Sequence, residues 1–450
     1  MTATTDPFAA IPTLLAASET PVLVQAITGA IVIVVMLHVI LGGCAYAILL
    51  ERKLSAWMQD RVGPNRVGPK GLLQPIADGL KFILKEEYAP KGVDRAVFTL
   101  APAFIMLPAM LGFVVIPWAG TLDLSTLPFG LAELFGGESW KVNLIGADIN
   151  IGVIFLLATA SLGVYGVALG GWASNSKFSF LGGLRASAQM ISYEIPMGLA
   201  LLVVILMAGS VTPYGIVEAQ RESGWFLLQQ PIAAILFYVC MLAESNRTPF
   251  DLAEAESELV GGYHTEYSSM RFAMFFLAEY FHMITGAAFF AMLFLGGFSV
   301  NPLPFGWDLP VEGGLGLMLV QFGVVLGKTF LMVAFAMAIR WTIPRFRFDQ
   351  LMRLAWEGMI PLSLLVVLVT AVSVHLGLEH WMWLGSIGCV VLVYAVLPLM
   401  PRQTNVNKRI PIVGSRFSPL DERDTLPPRP AVALSDAAIP DPGQGPASIH

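Results

Sequence analysis

The sequence predicts an all-α polytopic membrane protein, and three observations carry that reading. Of the 450 residues, 56% are hydrophobic and only 13% charged, with a mean hydropathy of +0.70, whereas a soluble domain is about half apolar and a quarter charged. Nine apolar runs have or approach the ~20 residues that cross a bilayer as a helix: about 24–50, 97–118, 151–172, 187–208, 226–243, 272–298, 315–339, 358–376 and 381–400. Finally, all of the 26 Lys and Arg residues except Lys141, Arg221 and Lys328 fall in the connections of one side or in the tail after 400, the asymmetry that sets orientation.

Taken in order, span one is long and is expected to tilt or to continue into a surface helix. The first basic residue is Arg52, so no positively charged leader is expected and the N-terminus is placed outside. The basic side, cytoplasmic in a bacterium, then receives connections 51–96, 173–186, 244–271 and 340–357. On the opposite side, 119–150 is Gly- and Leu-rich and is expected to form a hairpin or surface helix as a structural cover. Span five is short, and only GLEH (377–380) separates spans eight and nine. After 400 the chain turns Pro-rich and polar without helical periodicity, as a disordered or extended tail does. The expected organisation is an N-terminal segment 1–20, a membrane domain 21–376, an extra transmembrane helix 377–400 and a tail 401–450.

Several chemistries have no motif. Cys44, Cys240 and Cys389 stand alone in apolar runs and read as small buried hydrophobes. His38, His282 and His375 have no metal spacing, and RVGPNRVGPKG (61–71) lacks the GK[ST] of a phosphate loop. A net charge of -6 argues against nucleic acid. No nucleotide or redox cofactor site is expected on this chain.

The polar chemistry gathers on the basic side. In 51–90, Leu72, Ile76, Leu80 and Ile83 share one helical face and Asp78, Lys81 and Lys85 the other, an amphipathic helix for the interface or for another protein. In AESNRTPFDLAEAESELVGGYHTEY (243–267), six carboxylates, Glu244, Asp251, Glu254, Glu256, Glu258 and Glu266, face one basic residue, Arg247. Thr248, Pro249 and Asp251 form a capping-box pattern that predicts a helix over 249–260, with Asp251, Glu254 and Glu258 on one face. Carboxylates so crowded must be protonated or matched by cations: Arg247, Arg52, Arg61, Arg66 and Arg345 are candidates, and docking of a basic partner is the alternative. Arg340, Arg345, Arg347 and Arg353 make 340–357 a basic counterpart, or a positive-inside anchor. Within spans, Glu194, Glu279 and Lys328 sit where a charge costs about 2.5 to 3.5 kcal/mol. Such groups line a wet path, change protonation state or pair together, as Lys328 with Glu194 or Glu279.

ERKLSAWMQDRVGPNRVGPKGLLQPIADGLKFILKE, GGWASNSKFSFLGGLRASAQMISYE, AESNRTPFDLAEAESELVGGYHTEYSSMRFAMFFLAEY and PRFRFDQLMRLAW, in this order and interleaved with the spans, resemble the H-type membrane subunits of proton-pumping NADH:quinone oxidoreductase, respiratory complex I. The mitochondrial equivalent is NADH dehydrogenase subunit 1. The likeness covers roughly 20–376 and implies an eight-span core joining a hydrophilic redox arm to antiporter-like subunits. It implies a quinone chamber faced by Glu51, Arg52, Asp78, Arg247 and Asp251. It implies a proton-coupling series of Glu254, Glu256, Glu258 and Glu266 on the acidic loop, with Glu194, Glu244 and Glu279 continuing into the membrane. Quinone is then the substrate, and iron–sulfur clusters and flavin belong to neighbouring subunits. The alternatives are the membrane anchor of a hydrogenase or formate hydrogenlyase complex, a stand-alone antiporter, and a purely structural anchor.

Overall fold

Almost every described element is a helix, because no other open segment satisfies its backbone polar groups inside a bilayer. The computed structural model describes residues 21–126, 140–251, 261–305, 307–378 and 381–396. Residues 1–20, the acidic stretch 252–260, residues 127–139 of the outer connection and the tail fall outside these. Residues 1–393 form one unit and 394–450 a second.

The first helix, α1 (Val22–Met58), has 37 residues, about 55 Å at 1.5 Å per residue against a hydrocarbon core of about 30 Å. A helix of that length tilts or runs on past the apolar layer, and it ends at Met58, before the amphipathic segment begins. The amphipathic segment is α2 (Gln74–Leu84). Ser269 Oγ donates to the carbonyls of Phe82 (3.0 Å) and Lys85 (2.9 Å), and Phe82 meets Phe272 at 6.2 Å. The other face keeps Ile76, Leu80 and Ile83 exposed at 65%, 54% and 67%, as a surface awaiting lipid or protein does.

Among the described residues, seven helices are long and apolar enough to cross a membrane. After α1 comes α3 (Arg95–Gly112), capped by Asp94 Oδ1 accepting from the amides of Ala96 and Val97. The third span is broken at Leu162 into α4 (Gly152–Ser161) and α5 (Gly163–Ala173). α6 (Lys177–Ala208) ends at Gly209 in the left-handed region, φ 62°, where glycine carries no Cβ penalty. The remaining long spans are α9 (Ser269–Phe294), α10 (Leu315–Thr342) and α11 (Phe348–His375). A π-helical stretch, Leu354–Met359, interrupts α11.

Shorter helices complete the set. α7 (Pro213–Ser223) lies on the outer connection, and α8 (Pro231–Glu244) is the short fifth span, with 14 residues. Its first turn ends among protein groups instead of water: Ile232 N–H donates to Ser386 Oγ at 3.3 Å, and Gln230 Nε2 donates to Thr370 Oγ1 at 3.0 Å. Ser386 belongs to α12 (Met382–Val396), 15 residues long, the helix of the ninth apolar run.

The outer cover holds a hairpin. β1 (Thr121–Asp123) pairs antiparallel with β2 (Lys141–Asn143), Leu122 opposite Val142. It also pairs in parallel with β3 (Glu312–Gly313) from the connection before α10, a partner the hairpin expectation lacks. Gln321 Oε1 accepts from Gly120 N–H at 2.7 Å, Arg221 holds Asp308 at 3.0 Å, and Lys141 pairs with Glu312. Burial opposes ionisation of Asp308, but hydrogen bonds from Val300, Arg221, Ser299 and Leu309 outweigh it and lower its pKa. Cys44, Cys240 and Cys389 are buried and free, as isolated small hydrophobes are.

Helices α3 and α5 approach closely: a Cβ on Gly166 would lie 2.6 Å from the Ile105 nitrogen, whereas one on Gly323 in α10 would meet nothing within 4 Å. Overpacking at such a site costs about 1–3 kcal/mol. Gly166→Val is therefore expected to lower the thermal midpoint of the detergent-extracted protein, and Gly323→Ala to leave it unchanged.

Candidate functional site

Buried charges converge at the inner end of the bundle. The last turns of α1 supply Glu51, the chain leaving α8 supplies Arg247, α9 supplies Glu279 and Tyr280, and the end of α10 supplies Arg340. Glu51 Oε2 accepts from Arg247 Nη1 at 3.2 Å and from Tyr280 Oη at 2.6 Å, while Oε1 pairs with Arg340. Arg247 Nη2 stands 3.7 Å from Glu279 Oε2, and the guanidinium stacks over the Tyr280 ring at 4.1 Å. Glu51 and Arg247 are each only 6% exposed, so their charges depend on one another. Burial opposes the Arg247 cation, but Tyr280, Glu51 and Glu279 outweigh it and raise its pKa.

Local chain geometry explains how Arg247 gets there. α8 stops at Glu244, Asn246 takes a left-handed conformation with φ 48°, and Arg247 N–H folds back onto the Leu242 carbonyl at 3.1 Å. From α6, the Gln189 amide braces this turn, donating to Ala243 O (2.9 Å), Asn246 Oδ1 (3.3 Å) and Phe250 O (3.0 Å).

The helix predicted from Pro249 does not begin there. Thr248–Asp251 is a turn with a cis Thr248–Pro249 peptide. Phe250 is buried against Tyr193 (5.3 Å) and Phe346 (5.8 Å), a tertiary demand that overrides the capping-box pattern. The rest of that helix, with Glu254, Glu256 and Glu258, lies outside the described residues. Asp251 is paired with Arg345 at 3.3 Å, and Phe346 N–H donates to the Pro249 carbonyl at 3.2 Å. The basic and acidic connections thus meet, as their charges suggest.

Arg52 and Asp78 form a separate, more exposed pair at 2.8 Å, with Gln74 Nε2 donating to Asp78 at 3.2 Å. Glu266 is half-buried in the turn before α9. Glu194 on α6 and Glu244 at the end of α8 each keep a buried Oε1 that accepts no hydrogen bond among the described residues. Lys328 pairs with neither Glu194 nor Glu279. Its Nζ donates to the carbonyls of Leu295 (2.5 Å), Gly297 (2.8 Å) and Ser299 (2.5 Å), capping the end of α9 as a cation at a helix C-terminus does.

The sequence-predicted residues Glu51, Arg247 and Glu279 are thus brought into one cluster. Two of its members carry no role in the sequence reading: Tyr280 is simply the neighbour of Glu279, and Arg340 is one residue of a basic run. The available signal is that Arg340 lies at the end of span seven, where its charge needs a partner.

A family model described as NADH dehydrogenase matches residues 31–371, ending before α12. Among relatives, the NADH-quinone oxidoreductase H subunit 1 of Geobacter sulfurreducens is 46% identical over 347 residues, 77% of this chain and 94% of its own. The NADH-quinone oxidoreductase H subunit of Leptospira biflexa is 45% identical over 349 residues, 77% and 95% of the two chains. The H subunit 2 of Koribacter versatilis is 46% identical over 353 residues, 76% and 96%.

Two outcomes follow from the geometry. Glu51→Gln leaves two guanidiniums around a neutral amide; breaking a buried pair costs roughly 3–5 kcal/mol, and the thermal midpoint of the extracted protein should fall accordingly. His264, in the loop between α8 and α9, is pulled by burial from 6.5 to about 4, so it is neutral in the fold and ionises more easily when unfolded. Its contribution to stability is whole above pH 6.5 and is lost as pH falls toward 4. A melt series across that window should show a steeper loss for the wild type than for His264→Leu.

Proposed function

The chain belongs to the NADH dehydrogenase family, and from that premise we propose that it is the membrane subunit of a proton-pumping NADH:quinone oxidoreductase, forming much of the quinone chamber and coupling quinone reduction to proton translocation. The observation that carries the proposal is the ionic cluster uniting Glu51 and Arg247 of the chamber segments with Glu279 of span six. Its partners are the redox-arm subunits at the quinone site, the small membrane subunits and the antiporter-like subunits. It lies in the bacterial plasma membrane with the N-terminus outside and the large connections in the cytoplasm.

A lipid-soluble quinone enters from the bilayer through an apolar slot among α1, α9 and α2, whose exposed face supports such an entrance. The headgroup receives two electrons from a cluster in a neighbouring subunit and two protons, becoming quinol. Arg52 and Asp78 stand toward the mouth, Arg247 and Asp251 toward the headgroup. Until protonated, the reduced headgroup carries negative charge. In a low-dielectric site that charge acts strongly on nearby ionisable groups. Arg247 already divides its attraction between Glu51 and Glu279, so a new anion beside it weakens its hold on both and favours proton uptake by them. The displacement continues through Glu254, Glu256, Glu258 and Glu266 on the acidic loop, and through Glu244, Glu194 and Glu279 within the membrane.

In the assembled complex, Arg247→Met is expected to lower quinone reduction about a hundredfold, the lower end of the scale on which one positioned charge-stabilising group acts. Glu279→Gln and Glu194→Gln should lower proton pumping while NADH oxidation by an artificial acceptor at the redox arm persists. Wild-type quinone kinetics and pumping in all three variants would sink the proposal.

A further inference from the structure

Glu244 does not end in solid packing. It lines a cavity of about 30 Å3 among α3, α4, α8 and α9. The polar side chains lining it are Thr159 from α4, Glu244 and Ser245 from α8 and its end, and His282 and Thr285 from α9; α3 contributes Pro108, Ala109 and Gly112. Thr159 and Ser245 are satisfied within their own elements, donating to Leu156 O and Leu242 O. Glu244 Oε1, His282 Nε2 and Thr285 Oγ1 are buried and make no hydrogen bond among the described residues.

The large majority of buried side-chain polar atoms in folded proteins are hydrogen-bonded, so three orphans on residues lining one cavity point to a common partner. A water needs at least 10–15 Å3 of such volume and two to four polar contacts. This cavity supplies both, with a carboxyl, an imidazole nitrogen and a hydroxyl from two helices.

We infer that Glu244, His282 and Thr285 hold a buried water, and that His282 is a further proton-carrying residue of the chain. The inference rests on the coupling role proposed above. His282 lies three residues after Glu279, one turn along α9, and Glu279 belongs to the Arg247 cluster. The water joins His282 to Glu244 on α8, against which α6 packs with Glu194. The cavity therefore joins Glu244 on α8 to His282 on α9, one turn from Glu279.

The step is a proton transfer. The Glu244 O–H breaks, the proton joins the water, and the water releases one of its own protons to His282 Nε2. Glu244 is left as carboxylate and His282 as imidazolium, and the reverse step restores both. Imidazole suits this task because one ring nitrogen can accept a proton while the other gives one up. Thr285 orients the water and is a positioning residue.

The test uses the assembled complex in native membranes, with His282→Gln, Thr285→Val and, in parallel, Glu279→Gln. His282→Gln should reduce proton pumping about a hundredfold, the lower end of the range for a removed proton-transfer group, and abolish an imidazole band in the redox-induced infrared difference spectrum of histidine-labelled complex. Thr285→Val should reduce pumping in the same direction by less. Wild-type pumping in assembled His282→Gln, or a band that persists in it, overturns the inference. If His282→Gln does not assemble, Thr285→Val decides, and full pumping there overturns it. A defect in Glu279→Gln beside neutral His282 and Thr285 variants removes this step alone. Neutral behaviour of all three removes the coupling role with it.

Discussion

Burying the Arg247 guanidinium is the constraint on which the inner half of the molecule depends. An unpaired charge in that position costs several kcal/mol, so carboxylates must reach it, and they come from far along the chain. Glu51 is 196 residues away and accepts its hydrogen bond, and the Tyr280 hydroxyl is 229 residues from Glu51. Glu51 has a second oxygen to satisfy, and Arg340 from the end of α10 does so. Four elements are thereby tied at one point, and the turn that presents Arg247 is fixed by Gln189 from a fifth.

The membrane-crossing helices are legible in the sequence because hydrocarbon imposes one length and one composition on them. The seven long helices and the short fifth and ninth lie where the apolar runs place them, and even the shortness of α8 can be read. The ionic partnerships are not legible in the same way. Charge counts say that Arg247 or Arg345 must find carboxylates; they do not say which, since partners such as Arg345 with Asp251 and Arg247 with Glu51 are 94 and 196 residues apart. Lys328 illustrates the difficulty: an isolated cation in a span suggests a buried ion pair, but three backbone carbonyls at a helix end satisfy its three N–H groups equally well. Thr248–Asp251 fails in the opposite direction, a sound local capping pattern overruled because Phe250 is wanted in an aromatic contact.

The two ends of the bundle solve different problems. The outer end is closed by backbone pairing, with three short strands from distant connections and an ion pair between Arg221 and Asp308. At the inner end, charges are buried in a network with alternatives, where Arg247 has more than one carboxylate in reach and Glu51 more than one arginine. In such a low-dielectric network a change of charge at one member is felt by its neighbours. The apolar face of α2 lies uncovered beside this network.

The end of α1 carries one further consequence. Glu51 and Arg52 are consecutive, so on a helix they project about 100° apart, and they are held by opposite neighbours: Glu51 by the arginines of the interior, Arg52 by Asp78 on α2. Two grips at different azimuths fix the angular setting of α1 about its own axis as a key is fixed in a lock. Any twist of this long, largely lipid-facing rod loosens one grip or the other. The orientation of α2 and the pairing of the interior arginines are therefore one mechanical variable, turned by a single shaft.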